Sequence, residues 1–384
     1  MPHRDYSPPA DDNLRLRVFR DEPVFEDVLD DWGRLSDAAE PPNFFMTPHW
    51  VRTWWRHFHQ GATPRIFLYH DDLGPRALFP MMLRRRRIDG LGANVLGFMT
   101  NEETTRPQWL IRGDPAPVLS QWTADLAADR GWDVLEMASL PADTTGLEVL
   151  PGLLKNHGWR WVKRSGEGAL YLDVTGDFSD YWQARSRNLR RGIRSRENRL
   201  RERGGLKLEV SRPGDDPQPW LDRVFEVAAH SWKAVFGTSV ADGERRRFFI
   251  DVVTEMLPLG QAQVFMASLD GQDIAYDLTF IHRGTLYDLK IDYHQGFREL
   301  GPGMLLLKRM IEAGHKDPRV QTIDFVTDPE WMRRWTDTAS ENLHLRVFNR
   351  TPAGRTIGWL EQNLRPLGRA AKRIIRRAGR PRSG

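Results

Sequence analysis

Apolar residues recur along this chain with two periods, and the change from one to the other sets the expected order of elements. Early in the chain, PHWVRTWWRHF places Trp50, Trp54, Trp55 and Phe58 at helical spacing. Thr47 stands ahead of them as a cap and Pro48 at the first helical position, so a helix is predicted over Pro48–Phe58 with its tryptophans in the core. Alternating stretches predict strands at Arg65–Tyr69, Arg76–Leu83 and Trp132–Met137. Helical periodicity predicts helices at Leu119–Ala128 and Leu147–His157. A second series begins with a strand at Leu170–Val174 and a long helix over Phe178–Arg203. It continues with a strand at Leu206–Val210 and helices at Trp220–Val235 and Glu244–Met256. Strands at Ala262–Leu269, Ile274–Ile281 and Thr285–Ile291 follow, separated by Gly271 and Arg283-Gly284, and read as an antiparallel meander. A short strand at Thr322–Val326 closes the series.

Between the meander and that last strand lies FRELGPGMLLLKRMIEAG. Met304, Leu305, Leu306, Leu307, Met310 and Ile311 give it a broad apolar face, which predicts a largely buried helix starting at Pro302. Gly301 and Gly303 admit two readings on the residues alone. They allow a sharp turn out of the preceding strand, or they leave bare amides at a helix N-terminus that can close on a phosphate oxygen.

A chain of 384 residues has room for two domains at ~150 residues each. With 40% hydrophobic and 28% charged residues it has the composition of a soluble globular protein. The absence of cysteine excludes disulfides, zinc–thiolate sites and a cysteine nucleophile. No 18-residue apolar run occurs, and MPHRDYSPPADDN lacks the apolar centre of a signal peptide, so a cytoplasmic location is expected. Composition predicts disorder over 1–14, folded parts over 15–165 and 166–361, and a basic tail over 362–384. That tail holds eight basic residues and no acidic one, and without it the net charge of +4 becomes −4. Its Leu367, Ala370, Ala371, Ile374 and Ile375 among arginines leave open a weak membrane-surface contact, a nucleic-acid contact or a solvated terminus. No metalloprotease H-E-x-x-H, P-loop, G-x-S-x-G or full Rossmann glycine set is present, and no metal site is expected.

The order helix pair, meander, glycine turn, helix, strand is an acyltransferase layout. With GPGMLLLKRMIEA and TIDFV…WMRRW, it resembles the CelD/BcsL group of GNAT-superfamily acetyltransferases, linked by name to cellulose and exopolysaccharide biosynthesis. NFFMTPHWVRTWWRHF, RALFPMMLRRRR and YWQARSRNLRRGIRSRENRLRERGG extend the likeness over most of the chain. The resemblance implies an α/β (α+β) fold of two tandem GNAT-like domains. Their central sheets would be mixed, mainly antiparallel and flanked by helices, as in the FemABX aminoacyltransferases. It also implies acetyl-CoA or another acyl-CoA as cofactor, held by Arg298, Leu300, Gly301, Gly303, Met304 and Leu305, with amides offered at Gly303, Met304 and Leu305. The glycine run is shorter than the usual pattern of that superfamily.

Acyl transfer from a thioester needs a base for the acceptor proton, donors for the oxyanion and an acid or water for the thiolate. In YDLKIDY, strict alternation puts Asp288, Lys290 and Asp292 on one strand face and Leu289 and Ile291 on the other. Asp277 and His294 lie near the same strand ends; Asp292 is the expected base and Tyr293 the expected acid. Asp324 matches an acidic position that recurs in the resembled family and joins them as a catalytic candidate. Where that family has a tyrosine–lysine pair this chain has Trp331-Met332, so Trp331 and Arg334 become candidate substrate contacts. Arg187, Arg190, Arg191 and Arg194 of the basic helix are candidates for cofactor phosphates or an anionic sugar, and a solvated helix face is the plainer reading. Glu102 and Glu103 sit in a polar loop that in two-domain relatives can face the acceptor. The expected function is transfer of an acyl group from coenzyme A to a hydroxyl or amine of a small molecule or saccharide. The alternatives are an aminoacyl-tRNA-dependent transferase, the one reading with a nucleic-acid partner, and a scaffold that has lost catalysis.

Overall fold

In the computed structural model, the described residues, 13–21 and 25–363, form two sheets with hydrophobic cores between and beside them. The first part contains β1 (Arg15–Phe19), α1 (Leu29–Ala38), α2 (Pro48–Phe58), β2 (Thr63–Asp71), β3 (Gly74–Ile88), β4 (Leu91–Phe98) and β5 (Leu110–Ile111). It continues with α3 (Pro115–Ala128), β6 (Val134–Pro141), α4 (Leu150–Asn156) and β7 (Arg160–Ser165). The second part opens with β8 (Ala169–Asp173), α5 (Phe178–Ala184), α6 (Arg187–Arg203), β9 (Leu206–Val210), α7 (Pro217–Ala229), α8 (Trp232–Val235) and α9 (Gly243–Met256). Then come β10 (Ala262–Leu269), β11 (Gln272–His282), β12 (Thr285–Tyr293), α10 (Pro302–Lys316), β13 (Thr322–Asp324), β14 (Thr338–Ser340) and β15 (Asn342–Phe348).

The first sheet has the order β1-β2-β3-β4-β6-β15-β7, with β5 beside β3, and the second has β14-β8-β13-β12-β11-β10-β9. β10, β11 and β12 form the predicted antiparallel meander. Residues 342–348, predicted with the second part, instead pair between β6 and β7 in the first sheet. A strand alternating Leu343, Leu345 and Val347 completes whichever sheet offers two open edges, and local pattern does not say which. The single helix predicted over Phe178–Arg203 is two, because the Ser186 hydroxyl accepts the Leu189 N–H at 3.2 Å and starts α6 anew. Helix α7 likewise stops at Ala229, and α8 is a separate turn. The predicted tail lies outside the described residues except for 362 and 363, as do residues 1–12 of the predicted disordered start. Among the described residues no helix is long and apolar enough to cross a membrane.

Helix α2 shows how the halves are joined. The Thr47 hydroxyl accepts the Trp50 N–H at 3.3 Å, as its place before Pro48 predicts. Trp50, Trp54 and Trp55 are all buried, and the indole N–H groups of Trp50 and Trp54 donate to Thr104 and Asn101. The Trp50 ring meets Phe248 of α9 edge-on at 5.0 Å, while Phe44 stacks on Phe280 of β11, also at 5.0 Å. One core therefore contains side chains from both parts of the chain.

Candidate active site

Strands β12 and β13 run parallel but pair only at Thr285–Thr322, Leu286–Ile323 and Tyr287–Asp324. β13 then ends, while β12 runs on to Tyr293, and a cavity of about 590 Å³ opens where they part. Asp288 to Tyr293 form one wall, Phe325 to Thr327 and Trp331 the other, and Gly301, Gly303 and Met304 at the start of α10 form an end.

The register of β11 and β12 slips at Leu278/Thr279, which face Lys290 and Asp288, so Leu289 is one residue too many for its partner. This β-bulge corrects the strict alternation expected for YDLKIDY. Leu289 joins the core of Tyr287, whereas Ile291 packs on the core under α10, so the two leucine-type side chains lie on opposite faces. Lys290 is carried over the Phe249 ring to the buried Glu103, 2.7 Å away, and Asp288 is left facing Asp277.

Asp277 is fully buried and Asp288 is 4% exposed, and no N–H or hydroxyl group among the described residues reaches either carboxyl. Burial lifts both above the ordinary carboxylate range, Asp277 far above it with Asp288 adding repulsion, and Asp288 up to about 7. One proton between them is the state that two close buried carboxyls favour. Asp292, also buried, accepts the Tyr293 N–H at 2.9 Å and stands 3.6 Å from the Lys233 ammonium. Lys233 donates to the Ile291 carbonyl at 3.0 Å; burial holds its pKa below the usual lysine value, with Asp292 opposing.

At the far end, Gly301 adopts the left-handed conformation (φ 60°, ψ 50°), Pro302 has no N–H, and no side chain caps α10. Met304 turns its N–H to the Gly301 carbonyl at 3.3 Å, so of the three amides expected there it is partly spoken for. A Cβ at Gly301 would stand 2.6 Å from Arg196 Nε, so only glycine lets that guanidinium lie across the turn. At Gly303 a Cβ would meet the Tyr293 ring at an ordinary 3.6 Å, so packing does not demand glycine there. Arg196 and Arg298 both border the cavity, giving the helix start two cations.

Asp292, Tyr293, Arg298, Gly301, Gly303, Met304 and Trp331 thus meet around one cavity. The backbones of Leu300 and Leu305 flank it while their side chains are core. Other candidates lie elsewhere. Asp324 is buried in an ion pair with Arg106, which also bonds Tyr171, and it lines a different cavity from the splayed one. Burial raises its carboxyl, with Arg106 opposing. Glu103 is 1% exposed and binds Arg245 at 2.7 Å as well as Lys290, so it ties the halves together. Glu102, paired with the same Arg245, stays exposed. Arg187 and Arg191 are exposed on α6 and Arg190 donates to the Arg185 carbonyl at 3.2 Å; none borders the cavity, nor does Arg334. Met332, in place of the resembled family's lysine, is core. His294 stacks on His230 at 4.8 Å outside the cavity. Sequence reasoning missed Arg196 and Lys233. For Arg196 a signal existed: it falls on the stripe of Leu189, Ile193 and Leu200, the face of α6 that must turn inward.

Residues 187–335 match the family described as acetyltransferase (GNAT) domain, so this part of the chain is similar to such a domain. No curated protein matches the chain. Among solved structures, FemX superposes with a TM-score of 0.56 at 11% identity, covering 88% of this chain and 100% of its own. A conserved protein of unknown function from Bacteroides thetaiotaomicron VPI-5482 gives 0.54 at 12% identity, covering 87% and 100%. A C-terminal domain assigned to a lysylphosphatidylglycerol synthetase of Agrobacterium fabrum gives 0.52 at 9% identity, covering 87% and 95%. At these identities the likeness is one of fold, and that fold is the expected mixed α/β arrangement of two sheets flanked by helices.

Proposed function

We propose that the splayed cavity binds an acyl-CoA and that the protein, in the cytoplasm, transfers the acyl group to a hydroxyl or amine of a saccharide or related envelope metabolite. The observation that carries this reading is the cavity's end: an uncapped helix start, left-handed Gly301 with Arg196 lying across it, side-chain-free Gly303, and Arg298 on the same cavity's border. Amides and guanidinium groups are the donors a pyrophosphate needs. The thioester would lie along the free edge of β12 near the bulge, where its carbonyl reaches groups the sheet does not use. The acceptor's proton passes to Asp292 or to the ionised member of the Asp277–Asp288 pair as its oxygen or nitrogen bonds the acyl carbon. The C–S bond then breaks, and the thiolate takes a proton from Tyr293 or from water.

Calorimetric titration with acetyl-CoA, on the wild type and on Gly303→Glu, tests the donor site. Micromolar binding abolished in a folded variant is the expected result, because the new carboxylate would face the pyrophosphate. No binding of acetyl- or longer acyl-CoA to the wild type would refute it. A second reading draws on the exposed arginines of α6, which suit a polyanion such as an aminoacyl-tRNA donor. Under that reading RNA binding weakens steeply with salt while coenzyme A does not bind. Bound donor without acceptor-dependent thiol release would favour a scaffold that has lost catalysis.

A further inference from the structure

The first sheet repeats the splay of the second. β4 and β6 run parallel and pair at Val95–Val134, Leu96–Leu135 and Gly97–Glu136, after which β4 ends and β6 continues to Pro141. A cavity of about 400 Å³ lies there, within the size range of small-molecule sites. Val326 and Thr327 line both this cavity and the donor cleft, so the two share a wall. The helix after β4 does not repeat the anion site: α3 is capped by Asp114, whose own carboxylate accepts the Ala116 N–H at 3.0 Å and would repel a phosphate.

What borders the second cavity is a mixed set of unsatisfied polar atoms. Arg84 Nε, Thr105 Oγ1 and Asn342 Oδ1 are each buried without a hydrogen-bond partner among the described residues, and all three residues line it. Asn342 is 3% exposed, and its amide nitrogen donates to the Glu167 carbonyl at 2.7 Å, which fixes where its oxygen points. Buried polar atoms of this kind cost stability unless a ligand or water meets them. One atom donates, one accepts, and a hydroxyl does either. That combination fits neither an anion, which needs donors, nor an ammonium group, which would meet Arg84. Of the carboxylates on the rim, Glu136 is held by Arg86 and Arg346 and Glu102 by Arg245, and the exposed Glu167 balances the charge of Arg84, so the lining as a whole carries little net charge. Val95 and Phe98 supply apolar surface beside the polar atoms. Hydroxyls, each both donor and acceptor on a C–H framework, are the complement.

We infer that this cavity is the acyl-acceptor site and that it takes a neutral polyhydroxyl molecule of the saccharide class, an inference that rests on the donor-cleft reading above for the acceptor's role. The acceptor hydroxyl passes along the wall of Val326 and Thr327 to the thioester, and β15 carries Asn342 from the far end of the chain to read it.

Saturation-transfer NMR on the full chain, with methyl glucoside, glucose 6-phosphate and hexylamine as probes, tests this without any donor. Transfer to methyl glucoside above the other two is expected. It should weaken about threefold or more in Thr105→Val, which removes one hydrogen bond and keeps the shape. Coenzyme A affinity, measured on the same variant, should not move. Absent transfer to the neutral sugar, preference for the phosphorylated one, or an unchanged signal in Thr105→Val would each overturn the inference. Coenzyme A binding with no sugar binding defeats the acceptor site alone. Sugar binding with no coenzyme A binding defeats the donor reading and with it the acceptor role.

Discussion

The Asp277 and Asp288 carboxyls face each other inside the sheet with no other partner, and that isolation sets a pH dependence. Their folded pKa values are raised, so the folded chain holds protons that the unfolded chain releases above the ordinary carboxylate range. The associated stability is fully present below about pH 4 and is lost as pH rises through the folded value of Asp288, about 7. Asp277→Asn gives Asp288 a neutral amide donor and removes the repulsion. Chemical denaturation between pH 4 and 8 should therefore show a fall in wild-type stability on the order of a few kcal/mol that shrinks in the variant. Equal slopes would mean that the pair does not share a proton. The same variant separates two bases: if Asp288 takes the acceptor's proton, the acidic limb of kcat shifts in Asp277→Asn, and if Asp292 does, the limb stays and Asp292→Asn abolishes turnover.

Element geometry decides how α10 presents its N-terminus. Its first residue follows a left-handed Gly301, a conformation that β-branched side chains adopt only under strain. Gly301→Val is expected to cost ~1–3 kcal/mol of stability, and by displacing Arg196 to weaken acetyl-CoA binding at least about tenfold. Calorimetry on the folded variant checks the second effect apart from the first. Most elements were legible because each carries its own signal: the Thr47-Pro48 start of α2, Gly271 and Gly284 between strands of the meander, and the apolar face of α10. The bulge at Leu289 was not. An extra residue in one strand is defined only by its partner in β11, so alternation read along β12 alone assigns Lys290 to the wrong face.

For the whole molecule, the shared core predicts that the halves unfold together. Trp50 of α2 touches Phe248 of α9, and Glu103 of the first part holds Arg245 and Lys290 of the second. Trp50→Ala should cost ~3–5 kcal/mol and lower the midpoint of one calorimetric transition without splitting it. Two separate transitions in that variant would show that the halves are independent.

The sequence by itself determined the elements with local signals, the meander, the glycine turn before α10 and the absence of cysteine chemistry, because capping, periodicity and turn propensity act within a few residues. It also brought Asp292, Tyr293, Gly301 and Gly303 to notice, since they border one turn. Only the tertiary structure decided that Asp324 belongs to Arg106, that Arg196 lies across Gly301, that Asp288 meets Asp277, and that β15 crosses to the first sheet with Asn342. Each of these depends on a partner far away in sequence, and charge pairing, burial and strand register exist only once the chain has brought the partners together.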